Sequence, residues 1–423
     1  MTPKLMTTLP ETTRASLLAD VLAGITVALV ALPLSLAIAI ASGAPPEAGI
    51  VTAVVAGLLI SALGGSRVQI GGPTGAFIVV VAGVIAAHGY DGLVLATLMA
   101  GAILVVAALF RLGRLVAYVP EPVVEGFTIG IAIIIAASQL SDALGLRPGD
   151  LPADFLEKLA ALWTARDTLS VPALGIALVT GVLIVVLRRL APRWPGLIVA
   201  MAAGSALAVA VGGPGGGVET IASRFGALPR GLPAPAMPDV TLDRLRELLP
   251  SALIIAFLAG IESLLSAMVA DRMIGGRHRP NAEVLAQGVA NIGSALFGGL
   301  PATGAIARTA TNVRAGGRTP IAGIVHALAV FAMMLVAAPL VGFLAMPALA
   351  ALLILTAWNM SEPHRWRARL RQPTADLGLL VLTLVLTVLA DLTVAIATGT
   401  ALGLALRLRR RQASPADWTT PER

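Results

Sequence analysis

Long continuous apolar segments constrain this chain more than any other feature of its sequence. One of them, "VLAGITVALVALPLSLAIAIA", begins at Val21. The chain is 57% hydrophobic and only 13% charged, whereas soluble domains average about 25% charged residues. The apolar residues do not alternate with period two, and aromatic residues make up only 4%, which favours membrane helices over a β-barrel. We therefore predict an all-α integral membrane protein.

Apolar segments recur along the whole chain, and the Pro- and Gly-rich stretch 213–249 divides them seven and seven. We expect about fourteen transmembrane segments, near 17–41, 47–63, 74–87, 91–110, 123–140, 171–190, 196–212, 250–270, 283–298, 303–313, 320–344, 346–358, 374–390 and 392–408. An odd number of segments in each half turns the second half upside down relative to the first. The pattern thus predicts two inverted seven-segment repeats.

The distribution of charge predicts an orientation. If the N-terminus lies inside and the segments alternate, most of the 30 Lys and Arg residues fall on the cytoplasmic side, as the positive-inside rule requires. This predicts a multi-pass membrane protein with both termini cytoplasmic, and we expect it in a bacterial inner membrane. The net charge of +7 then reflects topology, and we expect no nucleic-acid partner.

Several of the segments are short, and two of them share a motif at their start. Residues 74–87 and 303–313 would extend about 21 and about 16 Å as helices, against a hydrocarbon core of about 30 Å. They follow the related stretches "GGPTG" and "GGLPATG". Helix N-termini carry partial positive charge and bind anions. We predict two half-helices that meet at the membrane midplane and hold an anion, with Thr74 and Thr303 capping them or donating hydroxyls.

The same alignment links two further residues. Superposing Thr74 on Thr303 places Pro33, in the first segment, opposite Glu262, in the eighth. This second coincidence strengthens the inverted repeat. Pro33 itself indicates a kink or exposed backbone at the site.

Glu262 is the sharpest single candidate, because the segment from Leu248 to Ala270 is otherwise uncharged. An ionisable residue at that depth is costly and usually functional. We predict that it carries the coupling proton, assisted by Ser266 one turn away; a permanently neutral, hydrogen-bonded Glu262 is the alternative. Arg308 could hold the anion or pair with Glu262.

Other classes of protein find little support. The chain lacks H-E-x-x-H, G-x-S-x-G and Walker A motifs and has no cysteine, so we predict neither an enzyme nor a metal or other cofactor. A passive anion channel remains an alternative, which would need no titrating glutamate.

Five stretches resemble the sulfate permease (SulP) family of anion transporters. They are "VLAGITVALVALPLSLAIAIASGAPPEAGI", "GGPTGAFIVVV", "AFLAGIESLLSAM", "NAEVLAQGVANIGSALFGGLPATGAIARTATNVRAGGRTP" and "GALPRGLPAPAMPDV". The resemblance covers nearly the whole chain.

The resemblance implies a division into core and gate domains with substrate between them. In the first repeat, 1–212, the core segments are 17–110 and the gate segments 123–212. After the linker 213–249, the second repeat, 250–411, has core segments 250–313 and gate segments 320–408, and a polar tail covers 412–423. The implied substrate-binding residues are Thr74, Gly75, Ala76, Phe77, Thr303, Gly304, Ala305 and Arg308. Pro33 and Leu34 would supply the first-segment contact, although many members carry Gln where Leu34 stands.

The resemblance also implies partners. A glutamate at 262 favours proton over sodium as the coupling ion. Family substrates are small inorganic or organic anions such as sulfate, bicarbonate and dicarboxylates, and we favour a dicarboxylate such as fumarate. The cytoplasmic STAS domain that members usually carry after the last segment is absent from this sequence; where it is present, a homodimer is expected. The nucleobase–proton symporters, which share the fold, are the runner-up.

Overall fold

The structure is a computed structural model that describes residues 1–113, 120–149, 151–152, 154–191, 195–212, 218–390 and 392–409. The helices before the linker are α1 (Lys4–Thr8), α2 (Arg14–Ala41), α3 (Pro46–Leu63), α4 (Ile78–Leu109), α5 (Glu121–Ser138), α6 (Leu140–Leu144), α7 (Phe155–Thr164), α8 (Val171–Leu190) and α9 (Gly196–Gly212).

A second set of helices follows. They are α10 (Ile221–Phe225), α11 (Leu242–Ile274), α12 (Pro280–Leu296), α13 (Ile306–Arg314), α14 (Ile321–Val341), α15 (Met346–Met360), α16 (Trp366–Arg369), α17 (Thr374–Leu389) and α18 (Leu392–Arg409). Two strands, β1 (Gly71–Gly72) and β2 (Thr303–Gly304), lie just before α4 and α13. A one-turn 3-10 helix, Gly75–Phe77, leads into α4.

Every apolar segment predicted from the sequence contains a helix in the structure. Among the described residues, seven helical stretches are long and apolar enough to cross a membrane: Arg14–Ala41, Pro46–Leu63, Gly75–Leu109, Glu121–Leu144, Val171–Leu190, Leu242–Ile274 and Ile321–Val341. The predominantly helical membrane fold is confirmed. The count of fourteen spans and their inverted relation remain predictions.

The break predicted between the third and fourth segments lies at Gly89. Its backbone leaves the helical region, with φ 70° and ψ 178°, and divides α4 into two helical parts. The Tyr90 hydroxyl next to the break donates to the Gly298 carbonyl at 2.6 Å, and Asp91 pairs with Arg244 of α11. The break in one half of the chain is therefore tied to the other half.

The linker boundary differs from the prediction. Helix α11 begins at Leu242 rather than near residue 250, and the Thr241 hydroxyl caps it by accepting from the Arg244 N–H at 3.4 Å. The polar end of the predicted linker is thus the first two turns of a spanning helix. Residues 213–217 of the linker and the polar tail 412–423 lie outside the described residues.

Helix packing separates two groups. Helices α2, α3, α4, α11, α12, α13 and α14 pack on one another, as do α5, α8, α9, α15, α17 and α18. Helix α14, which comes from the predicted gate segment 320–344, packs on α2 and α3 of the first group. We call these two groups the core helices and the gate helices. Their division into moving domains remains a prediction.

Small residues bring the core helices close together. A Cβ built on Gly101 of α4 would lie 2.7 Å from the Gly288 carbonyl oxygen of α12, and one built on Gly288 would lie 2.8 Å from the Gly101 oxygen. Membrane helices associate through such close backbone contact, because lipid offers no hydrophobic driving force between helices.

We predict that Gly101→Ala destabilises the protein by about 1–3 kcal/mol, because the added methyl group forces α4 and α12 apart. The matched control is Gly83→Ala in the same helix, where an added Cβ meets nothing within 4 Å. Thermal unfolding in detergent should show a lower midpoint for Gly101→Ala only. Equal midpoints for the two variants would contradict the packing argument.

Candidate functional site

A two-stranded antiparallel sheet lies where the sequence predicted two facing helix ends. Gly71 pairs with Gly304, and Gly72 pairs with Thr303. Broken backbone inside a membrane needs hydrogen-bond partners, and here each broken segment provides them for the other. The short helices follow the strands directly, so both positive helix ends begin beside the sheet. The sequence located the two breaks but did not predict the sheet.

Buried side chains satisfy the backbone leading into β2. The Thr52 hydroxyl accepts from the Leu300 N–H at 2.6 Å. Asn291 accepts from the Ala302 N–H at 2.9 Å and donates to the Ala302 carbonyl at 2.9 Å. The Ala305 N–H donates to the Ile70 carbonyl at 2.8 Å. This approach to the site is therefore held rigidly by residues of α3 and α12.

Two positions in the sheet must be glycine because neighbouring side chains occupy the space that a Cβ would need. Gly72 has φ +148°, and a Cβ there would lie 2.3 Å from Nη1 of Arg308. A Cβ on Gly304 would lie 1.5 Å from Nε2 of Gln69. The absence of a side chain at these positions lets Arg308 and Gln69 lie against the sheet.

Glu262 and Thr74 meet at the accessible side of the site. The Thr74 hydroxyl donates to Oε2 of Glu262 at 3.1 Å, and both residues are partly exposed. Thr74 makes no helix-capping bond, so its predicted role as a cap is wrong, and donation of its hydroxyl to an anion stays a prediction. Ser266 was predicted to assist Glu262, but its hydroxyl lies 3.2 Å from that of Thr309. The structure places Ser266 in the contact between α11 and α13.

Arg308 is almost completely buried, with 2% of its surface exposed. Its Nη2 donates to the Ser35 hydroxyl at 3.1 Å and to the Pro73 carbonyl at 2.9 Å. Its Nε and Nη1 have no protein partner. Within the described part of the chain, Arg308 forms no ion pair with Glu262 or any other carboxylate, so the predicted alternative of an Arg308–Glu262 pair is wrong.

The first segment contributes a different residue from those predicted. Helix α2 continues through Pro33, which is buried, and Leu34 packs against the apolar core. The contact to the site comes instead from Ser35, through Arg308.

The remaining predicted residues have structural surroundings that the sequence did not indicate. The Thr303 hydroxyl donates to the Ala259 carbonyl of α11 at 2.9 Å, so Thr303 is not a helix cap. Ala76 and Phe77 are buried in the apolar core, and Ala305 is buried beside the start of α13. All of these residues lie around the sheet, but their side chains do not converge on one point.

Gate helices cover the site. A Cβ on Gly75 would lie 3.0 Å from Sδ of Met360 in α15 and 3.6 Å from Cδ1 of Ile135 in α5. The 3-10 turn before α4 therefore sits at the contact between core helices and gate helices.

The sequence did not predict a buried polar cluster around Ser263, the residue that follows Glu262. The Ser263 hydroxyl donates to Glu283 at 2.9 Å and accepts from Gln69 at 2.9 Å and Gln287 at 2.8 Å. Glu283 also accepts from the Gly65 N–H at 2.9 Å. The signal was the pair Glu283 and Gln287, four residues apart on one face of a helix.

The fold and this site define a multi-pass helical membrane protein in which two interrupted segments meet beside the buried guanidinium of Arg308. The Sulfate permease family matches residues 17–385. The chain belongs to that family, whose members are anion transporters.

Individual relatives agree with this assignment. The chain is 44% identical over 372 residues to "Putative sulfate transporter YvdB" of Bacillus subtilis, covering 88% of this chain and 70% of that protein. It is 31% identical over 344 residues to "Bicarbonate transporter BicA" of Picosynechococcus sp., covering 79% of this chain and 60% of that protein.

Solved structures confirm the fold. The transmembrane domain of a cyanobacterial bicarbonate transporter BicA superposes with a TM-score of 0.81 at 30% identity, covering 91% of this chain and 98% of that one. Murine Solute Carrier 26 family member A9 superposes with a TM-score of 0.85 at 18% identity, covering 96% of this chain and 71% of that one. The second likeness concerns the fold alone.

We predict that Asn291→Leu lowers the thermal midpoint strongly. The substitution leaves the buried N–H and carbonyl of Ala302 unpaired, at a cost of about 1–3 kcal/mol each. Asn359→Leu, at an exposed position of α15, is the control and should be nearly neutral. An Asn291→Leu protein as stable as the control would show that β2 does not depend on the two hydrogen bonds between Asn291 and Ala302.

Proposed function

We propose that this protein is a secondary active transporter that moves a small anion together with protons. The observation that carries the proposal is Arg308, a buried guanidinium with two unpartnered nitrogens beside two helix N-termini. Membership of a family of anion transporters supports it. Alternating access of the core helices against the gate helices would expose the site to each side in turn.

Electrostatics supports an anion as the substrate. A buried charge that lacks a partner is strongly unfavourable. The partial positive charges at the starts of α4 and α13 add to that of Arg308 instead of neutralising it. An incoming anion would offset the charge of Arg308 and the partial charges of both helix starts, and a neutral solute would not.

Proton coupling is supported by the contact between Glu262 and Thr74. Thr74 immediately precedes the 3-10 turn Gly75–Phe77, so its contact with the carboxyl group lies beside the proposed substrate site. A carboxyl removed from water favours its protonated form, while a nearby cation favours the ionised one. Filling the site with an anion would offset the charge of Arg308 and favour proton uptake by Glu262, with release after the anion leaves.

Topology and substrate class complete the proposal. We infer fourteen segments in two inverted repeats, both termini in the cytoplasm and a location in a bacterial inner membrane, from the charge distribution along the sequence. The names of the relatives favour sulfate and bicarbonate, to which we add dicarboxylates such as fumarate. The site residues remain those around the sheet: Thr74, Gly75, Ala76, Phe77, Thr303, Gly304, Ala305 and Arg308.

The deciding experiment is uptake of labelled sulfate, bicarbonate, fumarate and uracil into proteoliposomes, with and without an inward proton gradient. We expect saturable uptake of at least one anion, accelerated by the gradient. Saturable uptake of uracil alone would favour a nucleobase symporter. Anion flux that ignores the proton gradient would favour a passive channel.

We predict that Glu262→Gln abolishes the dependence of anion uptake on the proton gradient, because the amide cannot exchange a proton at this position. Glu247→Gln is the matched control: Glu247 lies on the same helix, is exposed and pairs with His88 at 3.2 Å. The control should retain wild-type coupling. If uptake by Glu262→Gln still follows the proton gradient, Glu262 is not the coupling residue.

A further inference from the structure

A column of small residues on α3 faces the back of the sheet. Ala53, Gly57 and Ser61 are spaced four residues apart and so lie on one side of the helix. A Cβ built on Gly72 would lie 2.3 Å from Nη1 of Arg308 and 3.6 Å from Cα of Ala53. Arg308 therefore lies at the level of Ala53, behind the sheet.

His326 of α14 lies one turn along the same column. A Cβ built on Gly57 would lie 3.8 Å from Nδ1 and Cε1 of His326, and 3.2 Å from the Gly71 carbonyl oxygen of β1. Arg308 lies near Ala53 and His326 lies near Gly57, so the two residues are about one helical turn, or about 6 Å, apart along α3. Ser61 follows after another turn, against Gly323 of α14.

All three polar residues have buried polar atoms without a protein partner. His326 is fully buried, yet neither ring nitrogen has a protein partner. The Ser61 hydroxyl and the Nε and Nη1 nitrogens of Arg308 are likewise buried and unpartnered. Buried polar atoms are nearly always hydrogen-bonded, so these five unpartnered atoms, contributed by α3, α13 and α14, indicate that something other than protein satisfies them.

A structural role does not explain this arrangement. A histidine kept only for packing would leave two polar atoms unsatisfied, and an apolar side chain of similar size would be neutral or stabilising. Buried water satisfies such groups in other proteins, typically with about three hydrogen bonds. Water alone does not neutralise Arg308, whereas an anion does.

We propose that His326 forms the inner wall of the anion site, where its ring N–H donates, directly or through one water, to the anion held by Arg308. The inference rests on the proposed function. It assigns a binding residue on α14, a helix that contributes none of the predicted site residues. The ligand is a small oxyanion, since an imidazole offers one donor and one acceptor to it and its hydration water.

Transport kinetics test the assignment. We expect His326→Leu to raise KM for the transported anion by about tenfold or more, the usual effect of losing a hydrogen bond to a charged group, with little change in maximal rate. His326→Gln, which keeps a donor and an acceptor, should restore most of the affinity. The exposed His364→Leu is the control. Unchanged KM together with equal or raised thermal stability in His326→Leu would show a packing role and overturn the proposal.

A binding measurement separates this inference from the proposed function. The chain has only four histidines, so the ring signals of 13C-labelled histidine are assignable with His326→Gln. Titration with sulfate, bicarbonate, fumarate and chloride should shift the His326 signals, and Arg308→Met should remove the shift. Uptake without any shift would overturn this inference alone. A shift without uptake would retain the binding site and reject transport.

Discussion

The structure depends on one constraint, the need to pair backbone groups where two membrane segments are interrupted. An unpaired N–H or carbonyl inside a membrane costs several kcal/mol. Each interrupted segment would leave several such groups unpaired if it had no partner. The antiparallel pairing of Gly71 with Gly304 and of Gly72 with Thr303 answers this need. It also fixes the distance between the two short helices, so the positions of Thr74 and Arg308 follow from the pairing.

Because backbone groups at the site are paired in this way, the two Arg308 nitrogens without a hydrogen-bond partner are informative. The same core satisfies its other buried charges thoroughly. Asp20 accepts from the Arg318 and Thr319 N–H groups and from the Thr319 hydroxyl, and Glu283 accepts from side chains and backbone alike. The contrast with Nε and Nη1 of Arg308, which have no protein partner, supports the proposal that an anion fills this site.

The sequence predicted what depends on local pattern. Apolar segments, the break near Gly89 and the isolated charges at Glu262 and Arg308 are visible in one stretch of chain, and the structure has them. The sheet, the contact of Ser35 with Arg308 and the pairing of Ser266 with Thr309 join residues far apart in sequence. No local signal distinguishes Ser35 from other hydroxyls in apolar helices, because its role depends on where a distant arginine lies. The start of α11 was missed for a different reason: Leu242 belongs to a polar stretch beyond the apolar window.

The kinds of contact differ between the two groups of helices, and this bears on movement. Within the core, directional hydrogen bonds between buried groups, such as those of Asn291 and Glu283, link α3, α11 and α12. Where gate helices cover the site, Met360 and Ile135 lie over Gly75, and these contacts are apolar and non-directional. A thioether side chain adapts to changing neighbours at little cost. The proposed movement of the gate helices against the core helices would therefore leave intact the hydrogen bonds that hold the sheet.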